Sequence, residues 1–102
     1  MELVLLTVPG CPNAATFEER LAAALALHPG TVVHRRVIAG EREAAQVGMH
    51  GSPTLLVDGT DPFAAPGEAP SLSCRLYRDA AGRTSGAPTV GALRRALAAG
   101  EH

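Results

Sequence analysis

An apolar run with β-branched members extends from Leu3 to Val8, the pattern of a strand covered on both faces. Pro9-Gly10 ends it. From Ala14 to His28 the period lengthens: Phe17, Leu21, Ala24, Leu25 and His28 recur at helical spacing, with Glu18, Glu19 and Arg20 between them. Pro12 suits the first turn of this helix, where a missing N–H costs nothing, and His28-Pro29-Gly30 stops it. Residues 31–39 alternate imperfectly and predict a second strand. Glu41 to Met49 predicts a short helix whose early glutamates suit the helix dipole. Leu55-Leu56-Val57, closed by the turn residues Asp58-Gly59, predicts a third strand.

Three prolines and a glycine make residues 60–70 a loop. Ser71 to Arg78 alternates as a fourth strand, with Leu72, Cys74, Leu76 and Arg78 on one face and Ser73, Arg75 and Tyr77 on the other. Residues 79–88 connect it to a last helix over Thr89 to Ala99, striped by Val90, Leu93 and Leu97 with Arg94 and Arg95 outward. The order is βαβαββα. Helical crossovers imply parallel pairing early in the chain. The helix-free link between strands three and four implies an antiparallel pair there. The expectation is one α/β domain over residues 1–102, a four-stranded mixed sheet flanked by helices.

Two short stretches carry chemistry: Pro9-Gly10-Cys11-Pro12-Asn13-Ala14, and Gly51-Ser52-Pro53-Thr54 leading into the third strand. With the element order, they make the chain resemble the thioredoxin/glutaredoxin superfamily, over nearly its whole length as topology and over these stretches as motif. The resemblance implies a cysteine at the mouth of the first helix and a cis-proline at Pro53 beside its sulfur. Ser52 would then turn its backbone N–H and C=O towards an extended thiol substrate. It implies Cys11 and Pro53 as the catalytic centre and Pro12, Ser52 and Thr54 as substrate contacts; Cys74 joins the catalytic set if the fourth strand runs back towards Cys11. The usual resolving cysteine is replaced by Ala14. Asp61-Pro62-Phe63 and Ser73-Cys74-Arg75-Leu76-Tyr77 look like a stretch of small bacterial thioredoxin-like proteins often labelled alkylmercury lyase-like. True organomercurial lyases place an aspartate where Ala14 stands.

A helix N-terminus offers N–H groups and partial positive charge to a thiolate, which is the reactive form of cysteine. Cys11 is therefore expected to act as a single attacking thiol on a small thiol-derived or protein disulfide, with no cofactor. Glutathione or another low-molecular-weight thiol serves as co-substrate. Cys74 is open between a resolving thiol, a partner of Cys11 in gripping a soft metal such as mercury or copper(I), and a core cysteine beside Leu72 and Leu76. A non-catalytic scaffold is the third reading. His50 and Arg75 are read as a solvated loop histidine and a surface arginine, His28 and His34 as structural, and Asp58 and Asp61 chiefly as loop chemistry.

Composition narrows the partners. The net charge of −1 argues against nucleic acid as an obligate partner, since phosphate binding needs a clustered positive surface. No apolar run reaches the length of about 18 residues that a membrane span needs. The opening Met1 to Val8 lacks the basic start of a secretory signal, so a cytoplasmic chain with two reduced cysteines is expected. Only three aromatics are present, so the core must be mostly aliphatic.

Overall fold

The computed structural model describes residues 1–100, with β1 (Leu3–Thr7) at the centre of a three-stranded sheet ordered β2–β1–β4. β2 (Val33–Val37) runs parallel to it, Leu3 opposite Val33 and Thr7 opposite Val37. β4 (Thr54–Val57) runs antiparallel, Leu3 opposite Val57 and Leu6 opposite Thr54. The crossover that a parallel pair requires is supplied by α1 (Ala14–Ala24).

Side chains alternate across a strand, and β1 feeds a core on each face. Leu3 and Leu5 pack with Phe17, Leu21 and Ala24 of α1 and with Leu93 and Leu97 of α3 (Val90–Gly100). Leu6 packs on the other side with Ile38, Met49, Leu56 and Ala44 of α2 (Glu41–Val47). Burying each such leucine contributes about 1.5–3 kcal/mol. The central strand is thus covered on both faces, as its unbroken hydrophobicity implied.

α1 is shorter than its periodicity predicted. It gives way after Ala24 to a 3₁₀ turn, Leu25–Leu27, in which Leu27 is exposed. Pro29 accounts for this, because a residue before proline is pushed out of the helical region. His28 accordingly has φ −132° and ψ 65°.

The second half of the chain departs furthest from expectation. In place of a fourth strand in one sheet, there are two further two-stranded units. β3 (His50–Ser52) pairs with β5 (Ser71–Cys74), and β6 (Tyr77–Arg78) pairs with β7 (Thr84–Ser85) in an antiparallel hairpin. β5 runs parallel to β3 and does not join β4, so the expected antiparallel pair of third and fourth strands is not formed. The predicted strand Ser71–Arg78 breaks at Arg75-Leu76. The break reverses the predicted faces: Cys74 and Leu76 are exposed, whereas Arg75 and Tyr77 are buried.

Candidate functional site

Cys11 sits on a turn dictated by the two residues before it. Its N–H donates to the carbonyl of Val8 at 3.2 Å. Pro9 fills the second position of that turn and Gly10, with φ +69°, fills the third. A type II turn needs φ > 0 there, which glycine adopts without a Cβ penalty. A further bond from the Ala14 N–H reaches the Cys11 carbonyl at 3.4 Å, and the first helical bond runs from Phe17 N–H to the Asn13 carbonyl at 3.0 Å. Asn13 is therefore the N-cap, and Pro12 lies one residue ahead of it, outside the first turn where the sequence placed it. Cys11 is half-buried just before the cap. The Asn13 side chain makes no capping bond. It lies against Gly86 so closely that a Cβ at Gly86 would be 2.2 Å from the Asn13 Cγ.

The cysteine turn is fastened to the second motif. The Val8 N–H donates to the Ser52 Oγ at 3.0 Å. Ser52, Pro53 and Thr54 are all buried, and the Ser52–Pro53 peptide is cis. The segment 75–77 grips these three residues in succession. The Arg75 N–H donates to the Ser52 carbonyl at 3.1 Å, the Tyr77 hydroxyl donates to the Pro53 carbonyl, and Arg75 Nη1 donates to Thr54 Oγ1 at 3.3 Å. The Ser52 carbonyl, expected to face a substrate, is thus taken by the chain itself.

Beneath this corner lies a charged network that pattern reading placed in solvent. Arg75 Nη1 donates to Asp61 Oδ2 at 2.6 Å, and the same oxygen lies 2.8 Å from His50 Nδ1. The Phe63 N–H donates to Asp61 Oδ1 at 2.9 Å. The Arg75 guanidinium stacks over the Tyr77 ring, 4.7 Å from its centroid, and the ring meets Phe17 and Phe63 edge-on. Burial pushes the Tyr77 phenol up beyond the ordinary tyrosine range, and the Arg75 charge offsets part of that rise. A buried pair like Arg75–Asp61 is costly to break, because removing one partner strands the other charge. So Arg75 is a buried anchor and not a surface arginine, and His50 is a held residue and not a solvated loop histidine. One signal for this was available: Arg75 shares its strand parity with Tyr77, and burying the ring carries the guanidinium in with it.

Cys74 is exposed and unpaired, which removes the reading of a core cysteine. It stands opposite Ser52 in the β3–β5 register. Ser52 therefore neighbours both cysteine-bearing segments, through its hydroxyl on Val8 and through its strand pairing with Cys74. Among the described residues, no three His, Cys, Asp or Glu side chains are grouped so as to hold a metal ion, and no helix is long and apolar enough to cross a membrane. Comparison with protein-family models, curated proteins and solved structures returns no match for this chain.

Proposed function

We propose that the protein is a thioredoxin-like thiol–disulfide oxidoreductase that works through the single thiol of Cys11. The observation that carries this reading is the Val8–Ser52 hydrogen bond, which seats the half-buried cysteine turn against the Ser52–Pro53 corner. The Cys11 thiolate attacks one sulfur of a disulfide, forming a mixed disulfide and expelling the other sulfur as a thiolate. A thiolate such as that of glutathione then attacks the mixed disulfide, restores Cys11 and leaves with the substrate sulfur as a new disulfide. No cofactor enters this cycle. Mass spectrometry after incubation with oxidised glutathione tests it. In the Cys74→Ser protein a single adduct on Cys11, lost when Cys11 is also changed to Ser, is expected. A folded protein that stays unmodified at Cys11 while its denatured form reacts would overturn it.

A second reading has one observation in its favour: Ser52 adjoins both cysteine segments. In that reading Cys11 and Cys74 grip one soft metal ion between two thiolates, as a binder or as a degenerate organomercurial lyase. Titration with mercury(II) separates the two readings. Two-thiolate binding saturates at one equivalent shared by both cysteines, whereas independent thiols each take their own equivalent and either Cys→Ser variant loses only one of the two.

A further inference from the structure

We infer that the edge of β3 beside Ser52 is closed to polypeptides by the chain's own β5, so that the Cys11 site takes small disulfides and excludes extended polypeptide disulfides. The inference rests on the reading of Cys11 as the attacking thiol. An extended peptide docks on a sheet edge by pairing its backbone with free N–H and C=O groups there. Three of those groups on β3 are occupied. The Ser52 carbonyl accepts from the Arg75 N–H at 3.1 Å, the Gly51 carbonyl accepts from Thr54 Oγ1 at 2.5 Å, and the His50 N–H donates to the same Thr54 oxygen at 3.3 Å.

The strand that closes the edge is held firmly at both ends. At its start, the Ser71 N–H donates to the Met49 carbonyl at 2.9 Å. At its end, Arg75 is locked into the buried Asp61–Tyr77 network. The two strands also approach too closely for anything to enter between them. A Cβ at Gly51, whose φ is +119°, would lie 2.9 Å from the Arg75 Cβ and 3.0 Å from the Ser73 carbonyl. Cys74, opposite Ser52, occupies the place on this edge that a residue of an incoming strand would take. A small disulfide needs no strand pairing and reaches the half-buried Cys11 directly.

The test compares two probes in the Cys74→Ser protein, so that only Cys11 reacts. One is the mixed disulfide of glutathione with 2-thiopyridine. The other is the same pyridyl disulfide on a cysteine in the middle of an unstructured peptide. Attack by the Cys11 thiolate on the glutathione or peptide sulfur forms the new disulfide and expels pyridine-2-thiolate, which is followed by its absorbance. Relative to a free model thiol, the folded protein is expected to favour the glutathione probe by roughly tenfold or more, because β5 fills the edge along which the residues flanking the peptide's sulfur would have to lie. Equal preference, within twofold of the model thiol, overturns the inference and leaves Cys11 reactive. Reaction with neither probe overturns the reading of Cys11 itself. In Gly51→Ala, which forces β5 away, the preference is expected to shrink. Should that variant fail to fold, hydrogen exchange of the Arg75 amide in the native protein decides. Protection that persists when the peptide probe is added supports a closed edge, and exchange at the unprotected rate overturns it.

Discussion

Arg75 and Asp61 form a buried ion pair, Nη1 to Oδ2 at 2.6 Å, with side-chain exposures of only 7% and 2%. The pair joins the 60–70 loop to the Ser52–Pro53 corner, because the Arg75 backbone and guanidinium also hold Ser52 and Thr54. Truncating the arginine leaves a carboxylate buried with only His50 and a backbone N–H beside it. Arg75→Ala is therefore expected to lower stability by about 3–5 kcal/mol in urea denaturation. Arg75→Met is expected to recover part of that loss only when combined with Asp61→Leu, which removes the stranded charge. A single Arg75→Ala change costing less than about 1 kcal/mol would mean the pair is not buried in solution.

Tyr77 sets an alkaline limit on the fold. Its phenol is raised by burial, so the folded protein holds that proton more tightly than the unfolded chain, whose tyrosine titrates near pH 10. The sign follows directly. The stabilisation is fully present below about pH 10 and is lost as pH rises above it, because only the unfolded chain ionises freely there. Unfolding free energy measured from pH 8 to 11.5 is expected to fall in the upper part of this range. In Tyr77→Phe that fall is expected to flatten, from a lower starting value, since the bond to the Pro53 carbonyl is also lost.

The first half of the molecule was legible in the chain because its signals are local. β1 carries apolar residues on both parities and sits between two cores, and Phe17, Leu21 and Ala24 share one helical stripe that is buried as a unit. The end of β1 at Pro9-Gly10 was legible for the same reason, but the start of α1 was not, since Pro12 precedes the cap at Asn13 and does not open the first turn. Residues 71–78 were not. Their alternation marks Leu72, Cys74 and Leu76 as the apolar face, a rule that holds only while the strand continues, and the strand stops after Cys74. What decides the outcome is non-local. Arg75 can be buried because Asp61, fourteen positions away, neutralises it, and no periodicity records such a partner. The closure of the β3 edge was illegible too, because it depends on β5 running parallel to β3.

Gly51 is the position where the two strands leave no room. Its φ of +119° disfavours any L side chain, and an added methyl would meet Arg75 Cβ at 2.9 Å and the Ser73 carbonyl at 3.0 Å. Both neighbours are held, one by the buried ion pair and one by the β5 backbone, so neither yields cheaply. Gly51→Ala is expected to destabilise by about 2–4 kcal/mol, of which strained backbone accounts for about 1–3 kcal/mol. Thermal unfolding checks this against Gly67→Ala, which has a positive φ but nothing within 4 Å of the added carbon. If the two variants lose equal stability, the contact between β3 and β5 contributes nothing beyond backbone strain.

Ser52 links the fold to the proposed chemistry, because its hydroxyl is the acceptor that fixes Val8 and, through the Val8–Cys11 turn, the thiol. Ser52→Ala removes that acceptor without adding bulk at a buried position. The Val8 N–H is left without its partner, at a stability cost of about 1–2 kcal/mol. If the bond positions Cys11, the rate of its reaction with oxidised glutathione also falls, by about five- to tenfold, the kinetic equivalent of ~1–1.4 kcal/mol. The two effects are separable. The rate is measured well below the unfolding transition, where both proteins are folded, and the exchange of the Val8 amide is followed in parallel. Faster Val8 exchange together with slower thiol reaction is the expected pair of results. Faster exchange with an unchanged rate would show that Ser52 supports the fold alone and that Cys11 reacts without a held turn.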